Sequence, residues 1–426
     1  MTRPLLPTPL DPSAGYVFER HAHNRLLAAL GDTRVVVLLG ARQVGKSTLA
    51  RVVASQVGGM EYVSLDDRTL RAAADADPKG FLSGLRRPTL IDEIQRVPDL
   101  LLEIKGIVDT DRSPGQFLLT GSANILTAPK IKDALTGRAE YLTLWPLAQA
   151  EIAAARANFV DAAFAGALPH VTGAPVGRAA FAGLAASGGY PEARLREPDR
   201  RKVWFRDYIR SVVDRDLRDI SDATKLDHIP RLLRLIASQA ANLWVPSSIS
   251  SKLKLDSKTV GSYTQLLETL FIVHRLQAWT PGIGSREIQH EKIYITDTGL
   301  MAYLVGADEE RIRRDDQITG RILENFVAME IMRLADASEA QPRQYHYRQE
   351  SCRDEVNVVL ENDSGEMVAF EVKASATVLP SDCRALEKLR KARGSDFRAG
   401  AVFFTGPVTV PLGDRLWALP ISALWS

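Results

Sequence analysis

VVVLLGARQVGKSTLARVVA, Val35 to Ala54, begins as an apolar run and ends as a helix. Val35 to Leu39 is short, rich in β-branched residues and free of polar ones, the pattern of a parallel strand buried on both faces. The segment STLARVVASQV then spaces its apolar residues for a helix. Between them, Gly40-Ala41-Arg42-Gln43-Val44-Gly45-Lys46-Ser47 fits G-x-x-x-x-G-K-[ST] at every fixed position, with Thr48 next. Strand, loop and helix in this order are what a phosphate cradle requires. The glycines let the backbone curl so that N–H groups point inward, and the helix N-terminus adds its dipole. Lys46 is placed to neutralise the β- and γ-phosphates, and the Ser47 hydroxyl to ligate Mg²⁺.

A nucleotide site of this type needs carboxylates on a second strand. PTLIDEIQ ends its apolar run at Asp92-Glu93, and Asp92 lies 46 residues after Lys46, room for a helix, a strand and another crossover. Asp92 therefore reads as the magnesium-side acid and Glu93 as the group that orients or deprotonates water. MEYVSLD (Met60–Asp66), GQFLLTGSAN (Gly115–Asn124) and AEYLTLWPL (Ala139–Leu147) supply further strands, alternating with helices such as DLLLEIKGIVDT. This rhythm predicts a doubly wound α/β sheet. FLLTGSAN ends in a polar cluster at the carboxyl end of its strand, where ligands bind in such sheets. Thr120, Ser122 or Asn124 is then the γ-phosphate sensor, with ordinary turn residues as the competing reading.

The 426 residues allow two to four domains. Hydrophobic content is 45%, charged content 25% and net charge +2, so any nucleic-acid contact must come from a local patch. Two cysteines, Cys352 and Cys383, are too few for a disulfide framework or a cysteine zinc site, which fits a reducing cytoplasm. No apolar run is long enough for a transmembrane helix. The proline-rich start, MTRPLLPTPLDPSAGY, reads as an irregular leader and not a signal peptide. Neither HExxH nor G-x-S-x-G occurs, which argues against zinc hydrolysis and acyl transfer.

GARQVGKST, LIDEIQRVP, LLTGSAN and LTGRAEYLTLWPLAQAEI together resemble the predicted AAA+-type ATPases of bacteria and archaea that carry an uncharacterised C-terminal domain. The similarity runs from about Phe18 to the end. It implies ATP with Mg²⁺, since no Asn-Lys-x-Asp guanine reader is visible. It also suggests Arg138 as a phosphate-facing arginine, in cis or across a subunit boundary; a surface arginine is the alternative.

Beyond the ATPase, Glu151 to Gly189 reads as small helices or a lid, and SGGYPEAR (Ser187–Arg194) as a hinge. RKVWFRDYIRSVVDRDLRDISD (Arg201–Asp222) puts Trp204, Tyr208, Val212 and Leu217 on one stripe of an otherwise solvated helix. IPRLLRLIASQA, VPSSISSKLKL and DSKTVGSYTQLLETLFIVHRLQ read as three helices, with Asp256 or Ser257 as an N-cap. Val260, Leu266, Leu267 and Leu270 face their core. LQAW, the PGIG turn and EKIYITD suggest a β-wing, completing a winged-helix pattern. On DNA, Lys258, Thr259, Ser262 and Tyr263 would be exposed to the groove and Lys252 and Lys254 would lie near phosphates. A structural or protein-binding module is the other reading.

The final segment carries Glu324 on the helix ITGRILENFVAMEIMRL, then strands YHYRQE, DEVNVVLEN and MVAFEVKAS. The order resembles a PD-(D/E)XK nuclease core, in which carboxylates hold Mg²⁺ and a lysine steadies water. Glu371 and Lys373 share a strand face. Related proteins have Glu-Val-Asp where this chain has Glu355-Val356-Asn357, and an amide is a weaker ligand for a hard cation. Asp354 falls on the opposite face, and Glu355 on the same face about 7 Å along. Cleavage is therefore doubtful.

The expected architecture is α/β: a leader (1–17), a P-loop AAA+-like parallel sheet (18–155), a helical lid and connector (156–227), a winged-helix-like domain (228–305) and a restriction-endonuclease-like α/β domain (306–426). The expected function is an ATP-hydrolysing switch whose C-terminal half engages a partner, either DNA or protein. An ATP-gated DNA-processing nuclease and a nucleotide-stabilised binding protein are the alternatives.

Overall fold

The computed structural model describes residues 18–121, 135–155, 158–172, 176–217, 226–281, 290–349 and 354–426. The chain forms two compact units. Of the described residues, the first comprises those up to Leu147 together with Asp216, Leu217 and Thr269–Phe271. Its described elements are α1 (Ala22–Asp32), β1 (Val35–Leu39), α2 (Lys46–Val57), β2 (Glu61–Ser64), α3 (Arg68–Ala76), α4 (Pro78–Ser83), β3 (Thr89–Asp92), α5 (Leu100–Thr110), β4 (Phe117–Thr120) and β5 (Ala139–Thr143). The five strands form one sheet in the order β2-β3-β4-β1-β5. All four pairings are parallel, so this is the parallel α/β sheet that the alternating strand and helix pattern predicts.

The apolar run decides where this sheet is deepest. All five residues of β1 are buried, because β4 and β5 flank it and helices cover its faces. Val35, Val37 and Leu39 share a core with Ile91, Phe117, Leu119 and the α5 residues Leu100, Leu101, Ile104 and Val108. Burying each such side chain stabilises the fold by about 1.5–3 kcal/mol. β4 lies between β1 and β3, so the carboxyl ends of these three strands meet beside the loop that follows Leu39.

The second unit comprises residues 148–215, 223–268 and 272–426. It contains α6 (Arg178–Ser187), α7 (Pro198–Ser211), α8 (Ile229–Ser238), β6 (Asn242–Leu243), α9 (Pro246–Leu253), α10 (Ser257–Thr269), β7 (Val273–Leu276), β8 (Lys292–Ile295), α11 (Thr298–Leu304) and α12 (Asp316–Asp336). β6, β8 and β7 form a small antiparallel sheet in that order. Asp256 caps α10, its Oδ1 accepting the Thr259 N–H at 2.8 Å. Val260, Leu267 and Leu270 are buried as expected, while Leu266 is half-buried. The stripe on α7 is buried more fully than a solvated helix would be: Trp204 and Tyr208 stack at 5.2 Å, with Phe205 packed edge-on to Trp204. SGGYPEAR is a pinned turn and not a loose hinge. Tyr190 is fully buried, and Asp297 accepts the Gly189 N–H at 2.6 Å.

A mixed six-stranded sheet closes the unit, in the order β13-β14-β12-β11-β10-β9. Its strands are β9 (Arg343–Gln349), β10 (Asp354–Glu361), β11 (Met367–Val372), β12 (Phe397–Phe404), β13 (Val410–Gly413) and β14 (Leu416–Pro420), with α13 (Arg384–Arg393) between β11 and β12. Among the described residues, no helix is long and apolar enough to cross a membrane.

Candidate functional site

The loop after β1 is bent by backbone that only certain residues tolerate. Gly45 has φ +99° and caps α2 without a side-chain hydrogen bond, which leaves the helix N-terminus facing the loop. Gly40 has φ +150°, and a Cβ there would lie 2.2 Å from the Leu144 carbonyl oxygen. Gln43, also left-handed at φ +64°, is exposed, as is Thr48, whereas Ala41 and Val44 are buried. Arg20 clamps the loop from outside, donating to the Val44 carbonyl at 2.8 Å and the Trp145 carbonyl at 2.6 Å.

Lys46 curls back into this loop. Its ammonium donates to the carbonyl oxygens of Gly40 at 3.0 Å and Ala41 at 2.8 Å. Burial pushes its pKa down to about 8, against the nearby Glu93 carboxylate, which favours the charge. Neutral carbonyls only partly offset the loss of water around a cation. Arg42 turns the other way and makes a two-pronged pair with Asp216, at 2.8 and 3.1 Å. Burial disfavours its charge, but Asp216 holds the guanidinium pKa above its ordinary value.

Asp92 is the hub on the facing strand. Its Oδ1 accepts the Ser47 hydroxyl at 2.8 Å and also the Thr120 hydroxyl. Its Oδ2 accepts the Tyr62 hydroxyl at 3.2 Å. The structure thus brings Ser47 and Asp92 together as the sequence expects. A hydroxyl and a carboxylate form a hard oxygen donor set that suits Mg²⁺, so the residues fit the ion. Glu93 follows in a left-handed conformation at φ +61°, which a non-glycine residue adopts only under constraint. Its N–H donates to Thr120 Oγ1 at 3.2 Å, and its Oε2 accepts Gln95 Nε2 at 2.5 Å. Of the three sensor candidates, Thr120 therefore touches both acidic residues; Ser122 and Asn124 lie outside the described residues.

Arg138 is not brought to this loop. It immediately precedes β5, whose first residue Ala139 pairs with Val35 at the amino end of β1. The loop leaves the carboxyl end, a strand length of roughly 16 Å away for five residues. Arg138 instead makes a two-pronged pair with Asp109, at 2.5 and 2.9 Å. The expectation that it faces phosphate within its own chain is corrected by this register.

In the second unit, Lys252, Lys254, Lys258 and Ser262 are exposed and Thr259 half-exposed. Tyr263 is buried, contrary to its expected exposure, because it falls on the Val260–Leu267 face of α10.

The C-terminal cluster contains an unexpected member. Glu371 and Lys373 do meet, at 2.8 Å. Glu324, however, pairs at 2.6 Å with Lys292, whose ammonium also pairs with Glu355. Burial works against this charge, but Tyr294, Glu324 and Glu355 hold the Lys292 pKa well above its ordinary value. The alternation assumed for β10 is interrupted, since its register against β9 shifts between Val356 and Val359. Asn357 Oδ1 accepts the Val372 N–H at 2.7 Å, and the buried Asp354 pairs with Lys388. Among the described residues, no group of three or more His, Cys, Asp or Glu side chains is arranged to hold a metal.

Residues missed by sequence reasoning are Arg20, Tyr62, Asp216 and Lys292. Only Lys292 had a local signal, a lone charge heading the otherwise apolar strand KIYI.

Residues 32–153 match the model of a family described as AAA domain. Residues 178–311 and 319–424 match two families each described as a domain of unknown function, DUF8612 and DUF4143. Over 406 residues the chain is 29% identical to the Uncharacterized protein Rv2008c of Mycobacterium tuberculosis, and equally to the Uncharacterized protein Mb2031c of Mycobacterium bovis; each match covers 94% of this chain and 83% of the relative. Among solved structures, the Thermotoga maritima RuvB Holliday junction branch migration motor aligns with 66% of this chain and 94% of its own, at 18% identity and a TM-score of 0.28. The S. cerevisiae Hsp104-ADP complex aligns with 75% and 43%, at 15% identity and a TM-score of 0.26. Overlaps that loose carry no functional assignment.

Proposed function

We propose that this chain, an AAA+-type P-loop ATPase with a C-terminal domain of unknown function, binds and hydrolyses ATP as a switch whose C-terminal half engages a partner. The observation that carries this reading is Lys46, a buried ammonium that donates to loop carbonyls beside the Ser47–Asp92–Thr120 hydroxyl–carboxylate set. Triphosphate would replace those carbonyls with anionic oxygens. The loop from Gly40 to Thr48 would wrap the phosphates, and Ser47 and Asp92 would hold Mg²⁺, which supplies charge neutralisation when bound. Glu93 would orient and deprotonate water, with Thr120 fixing its backbone. Arg138 would act only on the nucleotide of a neighbouring subunit.

DNA is the partner favoured for the three helices α8–α10 and the β6-β8-β7 sheet, a winged-helix-like arrangement. The support is the exposed Lys252, Lys254 and Lys258. The gated-nuclease reading is disfavoured by the pairing of Lys292 with Glu324 and Glu355. ATPase assays with and without duplex and single-stranded DNA test the proposal. Turnover is expected in the parent, increased by DNA, and absent in Lys46→Ala, which should also lose tight binding of a fluorescent ATP analogue. Unchanged affinity in a folded Lys46→Ala would remove the loop from the site. No response to any DNA would leave a protein as the partner.

A further inference from the structure

Glu324 from α12 and Glu355 from β10 meet on one ammonium in the second unit, and Glu371 from β11 lies within electrostatic range of Glu324 and of that ammonium. A metal-dependent nuclease would use such a set to hold a divalent cation. The residues present do not fit one. Lys292, 1% exposed, joins Glu324 to Glu355, and Lys373 joins Glu371. Two ammonium groups already face three carboxylates. A divalent ion placed among the same oxygens would meet the Lys292 charge at contact distance, where like charges repel strongly in a poorly solvated site.

Lys292 is also positioned as a fastener. It begins β8, the central strand of the small antiparallel sheet. Two residues C-terminal to it, the Tyr294 hydroxyl reaches Glu324 Oε1 at 3.5 Å. One residue further, Ile295 is bracketed by the Asn325 side chain, which accepts its N–H at 2.9 Å and donates to its carbonyl at 2.8 Å. Arg333 donates to the Thr296 carbonyl at 2.5 Å. Glu324, Asn325 and Arg333 all lie on α12, so this helix holds β8 at both its ends. The Lys292 ammonium extends the grip across to β10 through Glu355.

We propose that Lys292 is a tethered cation that takes the place of a divalent metal ion in this carboxylate cluster and fastens β8 to α12 and β10, so that the site is a structural joint that opens to a divalent cation only when Lys292 is removed. The remaining carboxylate agrees with this. Glu371 Oε2 is buried and has no hydrogen-bond partner among the described residues. Burial, only partly opposed by Lys373, pushes the Glu371 pKa up to about 7, so near neutral pH this carboxyl carries a proton part of the time.

The test uses the full-length chain without nucleotide and Tb³⁺ as the probe, its luminescence sensitised through tyrosine, with Mn²⁺ titrated as competitor. The parent should show no saturable Tb³⁺ site that depends on Glu324. Lys292→Ala should gain one, at least tenfold tighter than any parent signal, and Lys292→Ala combined with Glu324→Gln should lose it. Thermal unfolding of Glu324→Gln in the parent gives an independent arm should Lys292→Ala fail to fold. Removing one carboxylate from a lysine-bridged joint lowers the midpoint. Removing it from a vacant cluster of repelling carboxylates raises the midpoint. A Glu324-dependent metal site in the parent, a raised midpoint for Glu324→Gln, or a folded Lys292→Ala that takes up no ion would each overturn the proposal.

Discussion

Lys46 and Lys292 are both buried lysines, 6% and 1% exposed, yet they differ in what they hold. Lys46 donates to two neutral carbonyl oxygens, and burial draws its pKa down to about 8. Lys292 lies between two carboxylates, which lift its pKa in spite of deeper burial. The difference sets the proposed binding group apart from the proposed structural one. An ammonium hydrogen-bonded to carbonyls and not to carboxylates gains most when an anion arrives. One that already has two carboxylates has nothing further to gain, and any cation brought near is repelled. Burial of a lysine therefore says little until its partners are named.

The sharpest break in this comparison lies in turnover. Glu93→Gln should retain ATP binding while hydrolysis slows by roughly a hundred- to ten-thousand-fold, the effect of losing an acid–base group. Single-turnover kinetics with radiolabelled ATP measure it, and a parent-like rate would pass the water-activating role to another residue. Asp92→Asn, in contrast, should weaken the magnesium dependence of binding.

Next in size is a pH effect particular to Lys46. Below pH about 8 the ammonium is already charged in the free protein. Bound phosphate favours the charged form and raises the pKa. Above about 8, binding must therefore take up a proton, and affinity should fall by up to roughly tenfold per pH unit. Calorimetry in buffers of different ionisation enthalpy should show proton uptake at pH 9 and much less at pH 7. Equal uptake at both would mean that Lys46 is not the group titrating.

Arg138→Ala should lower turnover only in an oligomer, and mixing it with Lys46→Ala should then restore some activity. The purified variant is expected to retain the parent's ATP affinity, measured by analogue titration, because Arg138 lies at the far end of its own sheet.

The smallest effect belongs to Asn357→Asp. The amide lacks a charge that a metal shell would use, but Lys292 holds the neighbouring glutamates regardless. Cleavage of plasmid DNA with Mg²⁺ or Mn²⁺ should stay below detection in both parent and variant. Metal-dependent cutting by either, lost on Lys373→Ala, would place this site beside the first as a working centre.

Much of the first site was legible because its chemistry is local. The phosphate loop is continuous in sequence, and Asp92-Glu93 ends a recognisable apolar strand. The sheet followed from alternating strand and helix patterns. What was not legible depends on partners far apart in the chain. Nothing near Arg42 announces Asp216, and nothing near Glu324 announces Lys292. For Arg138 the resemblance left cis and trans action open, because it assigns a role without the strand register that sets the residue at the amino end of its own sheet. In β10 the alternation separates Asp354, paired with Lys388, from Glu355, paired with Lys292, but composition does not reveal the register shift that follows Val356. The Glu371–Lys373 pair, two residues apart on one strand, survived because nothing long-range enters into it.

The pairing of Arg42 with Asp216 has a consequence in time. The two are 174 residues apart, and Phe271, which packs edge-on against Trp145 at 5.4 Å, comes later still. During synthesis at about 5–20 residues per second, Arg42 leaves the ribosome roughly ten to thirty seconds before its carboxylate exists. The loop after β1 is thus completed by chain made long after its own strand and helix, and a nascent or truncated fragment ending near residue 155 holds the whole Gly40–Ser47 motif without the counter-charge that fixes its arginine.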